Sequence, residues 1–176
     1  MKKLLTKKLL VISSIIFSLL VFTVTWVRAN GGNTVQAQLN GYEETPSSLS
    51  TSGQGHFSAT IDDAAQTITY SLSYSNLEGA TTNAAHIHLG QRRTSGGVSA
   101  FLCGGGDKPP CTPTSGNFTG VIDAADVIGP AGQGIAAGEF NELVRAIRNG
   151  ATYANVHTNL YPSGEVRGQL SGDGHE

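Results

Sequence analysis

The sequence predicts an all-β fold, an antiparallel sandwich or barrel of Greek-key type with one or two short helices. Several segments alternate apolar and polar residues with period two, which is the pattern of strands with one buried face. All 23 glycines follow residue 30, so turns are frequent. Helical periodicity is confined to one segment of about eleven residues. Many short strands separated by turns are typical of a sandwich or barrel.

The alternation is clearest in three segments, Val35–Asn40, Phe57–Ile61 and Ile68–Tyr74. Asp62-Asp63 separates the second from the third and predicts a hairpin turn. Weaker patterns predict four more strands, at Ala84–Leu89, Val98–Leu102, Thr152–Thr158 and Glu165–Leu170.

The segment Glu139–Asn149 predicts an amphipathic helix. Its apolar residues Phe140, Leu143, Val144 and Ile147 recur at helical spacing. A shorter helical turn is expected at Asp123, a capping residue that is followed by helix formers.

The N-terminus predicts export. Four lysines precede an apolar run from Leu9 to Val27, and Val27-Arg28-Ala29 suits cleavage after Ala29. We therefore predict a signal peptide at 1–29 and one domain at 30–176. The run is also long enough to remain as an uncleaved anchor, and in either case the domain is secreted or extracytoplasmic.

The charge that remains after residue 29 excludes nucleic acid as a partner. The domain keeps 6 of the 11 basic residues and all 13 acidic ones, a formal charge near −7. Nucleic-acid binding needs clustered Lys and Arg. Contact with a membrane is expected only through the N-terminal segment, if that segment is retained.

The two cysteines, Cys103 and Cys111, bracket a turn-rich segment. In an oxidising compartment this arrangement predicts a disulfide that closes a hairpin loop. The spacing matches no metal-binding or redox thiol motif that would favour another role.

Three histidines form the candidate metal site. His86 and His88 lie two apart on a predicted strand, so both side chains project from one face, and His157 lies on another predicted strand. A set of imidazole nitrogens suits Cu, Zn or Ni. In the alternative interpretation the histidines hydrogen-bond to backbone or carboxylate groups and stabilise the sheet. His56 is expected on the surface and His175 in a disordered terminus.

Two other charged patterns carry no diagnostic spacing. Glu165 and Arg167 lie two apart, so they share a strand face. They could pair or reach a neighbouring site, and an ion pair is the favoured interpretation. Glu43-Glu44 could supply carboxylates. Neither a nucleophile elbow nor a phosphate-binding loop is present in the sequence, so hydrolase and nucleotide-binding functions have no support.

Several motifs together resemble the chordin-type domain, CHRD, which occurs in chordin and in stand-alone exported bacterial proteins. The resemblance covers most of the chain after the leader. Its motifs are Leu39-Asn40-Gly41-Tyr42-Glu43-Glu44-Thr45-Pro46, Tyr70–Leu77, Ala84-Ala85-His86-Ile87-His88-Leu89-Gly90, Asn149-Gly150, Tyr153-Ala154-Asn155-Val156-His157-Thr158 and Pro162-Ser163-Gly164-Glu165-Val166-Arg167-Gly168-Gln169. The Gly104–Thr114 insert departs from it.

The resemblance implies an immunoglobulin-like β-barrel that is similar to copper-zinc superoxide dismutase. In that comparison His86, His88 and His157 resemble copper ligands, and Arg167 resembles the active-site arginine. Asn155, Glu165 and Arg167 are the expected neighbours of the site. A bridging histidine and a zinc loop have no counterpart, so a copper-zinc pair is not expected. The resemblance leaves two alternatives, a site for one copper or other transition-metal ion and a fold that kept the histidines as structural remnants.

These observations favour a non-catalytic binding or structural module over an enzyme. The alternative is a copper-only enzyme similar to superoxide dismutase, in which Arg167 steers the substrate. A further alternative, implied by the resemblance to chordin, is a module that binds another extracellular protein. The sequence identifies no particular partner.

Overall fold

A computed structural model describes residues 33–172 of the chain. The predicted signal peptide, its cleavage site and His175 lie outside the described residues. Within the described range no helix has the length and apolar character needed to cross a membrane.

Nine strands and one α-helix make up the described chain. The strands are β1 (Thr34–Asn40), β2 (Gln54–Asp62), β3 (Thr67–Ser75), β4 (Thr82–Leu89), β5 (Val98–Cys103), β6 (Gly116–Ile122), β7 (Thr152–Thr158), β8 (Val166–Gln169) and β9 (Ser171–Gly172), and the helix is α1 (Phe140–Arg148). All seven predicted strands and the predicted helix are confirmed. The turn expected at Asp123 is a short 3₁₀ helix, Ala124–Asp126, that Asp123 caps. β6 is a strand that the sequence patterns did not predict.

The strands form one antiparallel sheet in the order β5-β4-β7-β8-β1-β2-β3-β6, with β9 paired to β1. The hairpin predicted at Asp62-Asp63 joins β2 to β3 in continuous register. Between β3 and β4, β5 and β6, and β6 and β7 the chain crosses to strands that are not its ladder partners. The sheet curls into a nearly closed barrel, which confirms the predicted all-β class.

The core lies inside this barrel and is built by the alternation that the sequence shows. Alternate residues of each long strand are buried, as in β3, where Ile68 and Leu72 are fully buried. The apolar face of α1 packs onto the same core, and its four buried residues are Phe140, Leu143, Val144 and Ile147. On β4 and β7 the inward residues are Ala85, Ile87, Ala154 and Val156. The intervening side chains of these two strands therefore project outward.

Cys103 and Cys111 form the predicted disulfide. The loop that it closes is not a hairpin loop, because β5 and β6 do not pair with each other. The disulfide instead fixes the start of the connection from β5 to β6, which are the strands at the two ends of the sheet order. Lys108, inside the loop, adds a bond from its Nζ to Asp126 at 2.7 Å. A disulfide is consistent with an oxidising compartment.

Replacing both cysteines, Cys103→Ala/Cys111→Ala, is expected to lower the free energy of unfolding by about 2–3 kcal/mol, because the unfolded chain regains the freedom of the loop. Urea unfolding of the oxidised protein and of the variant measures the difference. A change below about 0.5 kcal/mol would contradict the expectation, since neutral surface substitutions fall in that range.

Candidate metal centre

The three predicted histidines converge on the outer face of the sheet. β4 and β7 are neighbours, and their register places His86 opposite Asn155 and His88 opposite Tyr153. Irregularities in the pairing of β4 with β5 fall beside both histidines. Such bulges bend the strand locally and increase its twist. One potential ligand nitrogen from each of His86, His88 and His157 lies within 4.8 Å of the other two.

Two of the rings present their Nε2 atoms to each other. His88 Nδ1 lies 3.0 Å from the carbonyl oxygen of Gly96, and His157 Nδ1 lies 3.1 Å from that of Pro162. A carbonyl oxygen only accepts, so each Nδ1 carries the proton and each Nε2 is a bare lone pair. The two Nε2 atoms lie 3.3 Å apart. The backbone bonds therefore orient the rings and leave both Nε2 atoms free.

The spacing fits a single ion. Two nitrogens that are each about 2.0 Å from one tetrahedral ion lie about 3.3 Å apart, which is the distance between the two Nε2 atoms. The ligand nitrogen of His86 lies no more than 4.8 Å from those of His88 and His157. To reach the separation of about 3.3 Å that one tetrahedral ion requires, it must approach them by no more than about 1.5 Å. His86 Nδ1 is buried and has no hydrogen-bond partner, so His86 is free to make that adjustment.

Burial keeps these imidazoles neutral. Burial, with the charges of His157 and His88, lowers the pKa of His86 to about 3. Burial lowers the pKa of His88 to about 4 against the raising effect of its bond to Gly96. Burial also lowers the pKa of His157. Neutral imidazole is the form that coordinates a metal.

Aromatic rings enclose the cluster. Tyr153 stacks on His88 with centroids 4.8 Å apart and planes within 6°, and Phe101 meets His86 edge to face at 4.6 Å. The Gly96 N–H donates to the Tyr153 hydroxyl at 3.1 Å. Tyr153 thus holds in place the loop whose carbonyl fixes the tautomer of His88.

Arg167 packs on Tyr153 at the border of the cluster, and, besides burial, its charge also helps to lower the pKa of His88. Its Cζ lies 3.5 Å from the centroid of the Tyr153 ring. Its nitrogens donate to Thr45 Oγ1 at 2.7 Å and to the Gln91 carbonyl at 3.1 Å. The side chain is 2 % exposed, so Arg167 braces the site from behind the aromatic ring.

Glu165 does not pair with Arg167, so that expectation is wrong. Within the described chain the Glu165 carboxylate is fully buried and accepts from Thr51, Glu78, Gly79 and Thr158. It precedes β8 and therefore does not follow the strand alternation that places Arg167 outward. None of its hydrogen-bond partners is a cluster histidine.

Asn155 lies opposite His86 in the sheet register, and it positions Glu44, one of the two residues that the sequence offered as possible carboxylates. Its Nδ2 donates to Glu44 Oε1 at 2.6 Å and to the Val166 carbonyl at 2.9 Å. Glu44 is buried, and burial raises its pKa from 4.5 to about 7 against the lowering effects of Asn155 and Arg167. The only sequence signal for Glu44 was its place in the Glu43-Glu44-Thr45-Pro46 motif.

Comparison with known proteins gives one match. The family model described as the CHRD domain matches residues 35–170. Neither the search of curated proteins nor that of solved structures returned a significant match. The matched range includes every residue of the cluster and of its surroundings described above.

Proposed function

This chain belongs to the CHRD domain family, and from that premise we propose that it is an exported, non-catalytic binding module that holds one transition-metal ion on His86, His88 and His157. The family membership supports a binding or structural module. The metal, its identity and the export are our proposal.

One observation carries the proposal, the pair of bare Nε2 atoms 3.3 Å apart. Two lone pairs that face each other at this distance repel unless a cation lies between them. A shared proton is disfavoured, because burial lowers the pKa of both rings. A bound metal ion relieves the repulsion and satisfies both nitrogens.

Copper is the ion that we expect first. Three imidazoles accept Cu, Zn or Ni, and copper(II) binds most tightly among the first-row divalent ions at a given nitrogen site. Zinc is the second choice because its tetrahedral geometry matches the 3.3 Å spacing.

The position of Arg167 favours binding over catalysis. Electrostatic steering of an anionic substrate needs positive charge at an accessible surface. Arg167 is buried, and Thr45, Gln91 and Tyr153 occupy its guanidinium. The superoxide dismutase alternative therefore lacks its steering residue. A copper-dependent superoxide turnover above that of free copper would reverse this preference.

Export is supported by the charged and apolar leader and by the disulfide. N-terminal sequencing of the exported product tests it. A product that begins near Asn30 supports cleavage after Ala29. An intact leader on a membrane-bound product supports the anchor, and a cytoplasmic product with free thiols contradicts export.

The binding of copper to the cluster is tested with full-length protein stripped of metal by a chelator. We expect one Cu(II) per chain, with nitrogen couplings in its electron paramagnetic resonance spectrum. Loss of an outer partner of a metal ligand costs 10–100-fold in affinity. Removing two ligands in His86→Ala/His88→Ala should therefore cost more than about 100-fold.

The matched control is His56→Ala, which removes a histidine on the outer face of β2, outside the cluster. We expect this variant to bind copper as the wild type does. Equal uptake by the double variant and the wild type would exclude the cluster as the site, and so would copper binding that depends on His56.

A further inference from the structure

A second group of polar residues adjoins the histidine cluster and has no part in the binding proposed so far. Only two acidic side chains of the described residues are buried, Glu44 and Glu165. Four donors hold Glu165, whereas Glu44 accepts from the Asn155 side chain and from the backbone at Thr45. Glu44 therefore retains hydrogen-bonding and charge-compensating capacity.

Glu44 is linked by a hydrogen bond from Asn155 to β7, the strand that carries His157. In the sheet register Asn155 stands between His86 on β4 and Arg167 on β8, on the outer face that carries the three histidines. Glu44 also lines a cleft of about 250 Å³ together with Pro162, whose carbonyl accepts from His157. The Glu44 carboxyl is thus bonded to Asn155 and shares a cleft with Pro162, the residue whose carbonyl orients His157.

The fold makes room for this carboxyl. Gly164 has a φ of +131°, and a Cβ there would lie 2.6 Å from the Asn155 amide atoms and 2.7 Å from Glu44 Oε1. A side chain at position 164 would displace the pair. A glycine at this position therefore lets Glu44 and Asn155 meet over the outer face.

The cluster needs a negative charge that its ligands do not supply. Three neutral imidazoles leave a divalent ion with its full charge of two, and Arg167 adds a buried positive charge behind Tyr153. A buried charge without compensation is costly. Among the acidic groups of the described chain, Glu44 is the buried one that faces Asn155 and Arg167.

On the basis of the proposed metal site, we infer that Glu44 supplies the counter-charge, the negative charge that compensates the bound ion. Glu44 is not a ligand of the ion but a positioning carboxylate. Its charge makes the site favour a divalent ion over a monovalent one, and therefore Cu(II) over Cu(I). The charged groups near Glu44 are Arg167, which favours the carboxylate, and Glu165, which disfavours it. A carboxyl with a pKa of about 7 ionises readily when a cation arrives beside it. By linkage, the uptake of Cu(II) should release a proton.

The test compares the Cu(I) and Cu(II) affinities of the metal-free wild type, Glu44→Gln and Glu44→Asp. Glutamine keeps an acceptor for Asn155 and loses the charge, whereas aspartate keeps the charge. We expect Glu44→Gln to weaken Cu(II) about 10-fold, a coupling of ordinary size, and to weaken Cu(I) distinctly less. Glu44→Asp should restore most of the preference for Cu(II).

Proton release gives an independent readout. Calorimetry of Cu(II) binding near pH 7, in buffers of different ionisation enthalpy, should show proton release in the wild type and less in Glu44→Gln. Glu43→Gln is the matched control, because Glu43 pairs with Arg92 at the surface and should leave both readouts unchanged.

The outcomes separate the two proposals. If the wild type binds copper but Glu44→Gln changes both oxidation states equally or not at all, with unchanged proton release, the counter-charge inference is wrong and the metal site stands. If the wild type binds neither ion, the metal site itself is wrong and the inference falls with it. Circular dichroism of each variant separates misfolding from a local change. If Glu44→Gln misfolds, proton release by the wild type carries the test, and Cu(II) uptake near pH 7 without proton release contradicts the inference.

Discussion

The metal-free protein is expected to lose a large part of its stability between about pH 6 and pH 4, because histidines of the unfolded chain take up protons that the buried histidines of the folded protein do not. The folded pKa is about 3 for His86 and about 4 for His88, against 6.5 for a free histidine. A depressed histidine pKa gives stability that is fully present above pH 6.5 and is lost as the pH falls below it. At pH 5 the loss is about 1–2 kcal/mol for each of these two residues, and His157 adds to it. Their sum is a large fraction of the 5–15 kcal/mol that stabilises an ordinary domain.

Urea unfolding of chelator-treated protein at pH 7, 6 and 5 measures this loss. His88→Gln should flatten the dependence on pH, because the amide does not titrate, whereas His56→Gln should leave it unchanged. The same acid dependence in His88→Gln and in the wild type would show that the cluster is not its cause.

Glu44 should produce the opposite dependence between about pH 4.5 and pH 7. Its pKa is raised from 4.5 to about 7 in the folded protein, so the stability that it contributes is present below pH 4.5 and is lost as the pH rises through about 7. Across this range the loss from Glu44 offsets part of the gain from the histidines. Glu44→Gln should therefore make the decline of stability between pH 7 and pH 5 steeper than in the wild type.

Glu165→Ala is expected to lower the free energy of unfolding by about 3–5 kcal/mol, the range for removing one partner of a buried charged network. The carboxylate is 0 % exposed. It accepts from the Glu78 and Gly79 N–H groups at 2.6 and 3.2 Å and from the Thr51 and Thr158 hydroxyls at 2.9 and 2.8 Å. Removing it leaves four donors without their acceptor at the junction of two loops with β7 and β8.

The measurement is the urea midpoint of Glu165→Ala beside that of Glu142→Ala. Glu142 pairs with Arg145 on the surface of α1, and such a pair contributes less than about 1 kcal/mol. Glu165→Gln should lie between the wild type and Glu165→Ala, since the amide keeps one acceptor. A loss for Glu165→Ala no larger than for Glu142→Ala would contradict the clamping role of Glu165.

Sequence patterns predicted the strands whose buried positions are filled by large apolar side chains, and they missed β6 for a definite reason. Two of its residues are glycines, and Gly120 occupies a position where a Cβ would lie 2.6 Å from the Tyr70 hydroxyl. A glycine between Phe118 and Ile122 interrupts the apolar alternation that marks a strand. Close packing against Tyr70 requires a glycine at position 120, and this glycine interrupts the alternation by which β6 could have been predicted.

The histidine cluster could be predicted in part. Period-two spacing places His86 and His88 side by side, and the pairing of β4 with β7 brings in His157. The carbonyls of Gly96 and Pro162 and the carboxyl of Glu44 come from loops that fold over the sheet. No local pattern encodes such contacts, because they depend on how distant segments pack. The same limit explains the failed pairing of Glu165 with Arg167, since strand periodicity applies only inside a strand.

The histidines lie on the solvent side of strands whose opposite side fills the barrel. Ala85 and Ile87 alternate with His86 and His88, so the chain completes its fold with inward residues that lie on the opposite side of the sheet from the proposed ion. Zinc fingers differ, since their ion replaces a core and they unfold without it. Relatives built on this scaffold could therefore gain, exchange or abandon an ion by changing a few outward side chains while keeping an intact barrel.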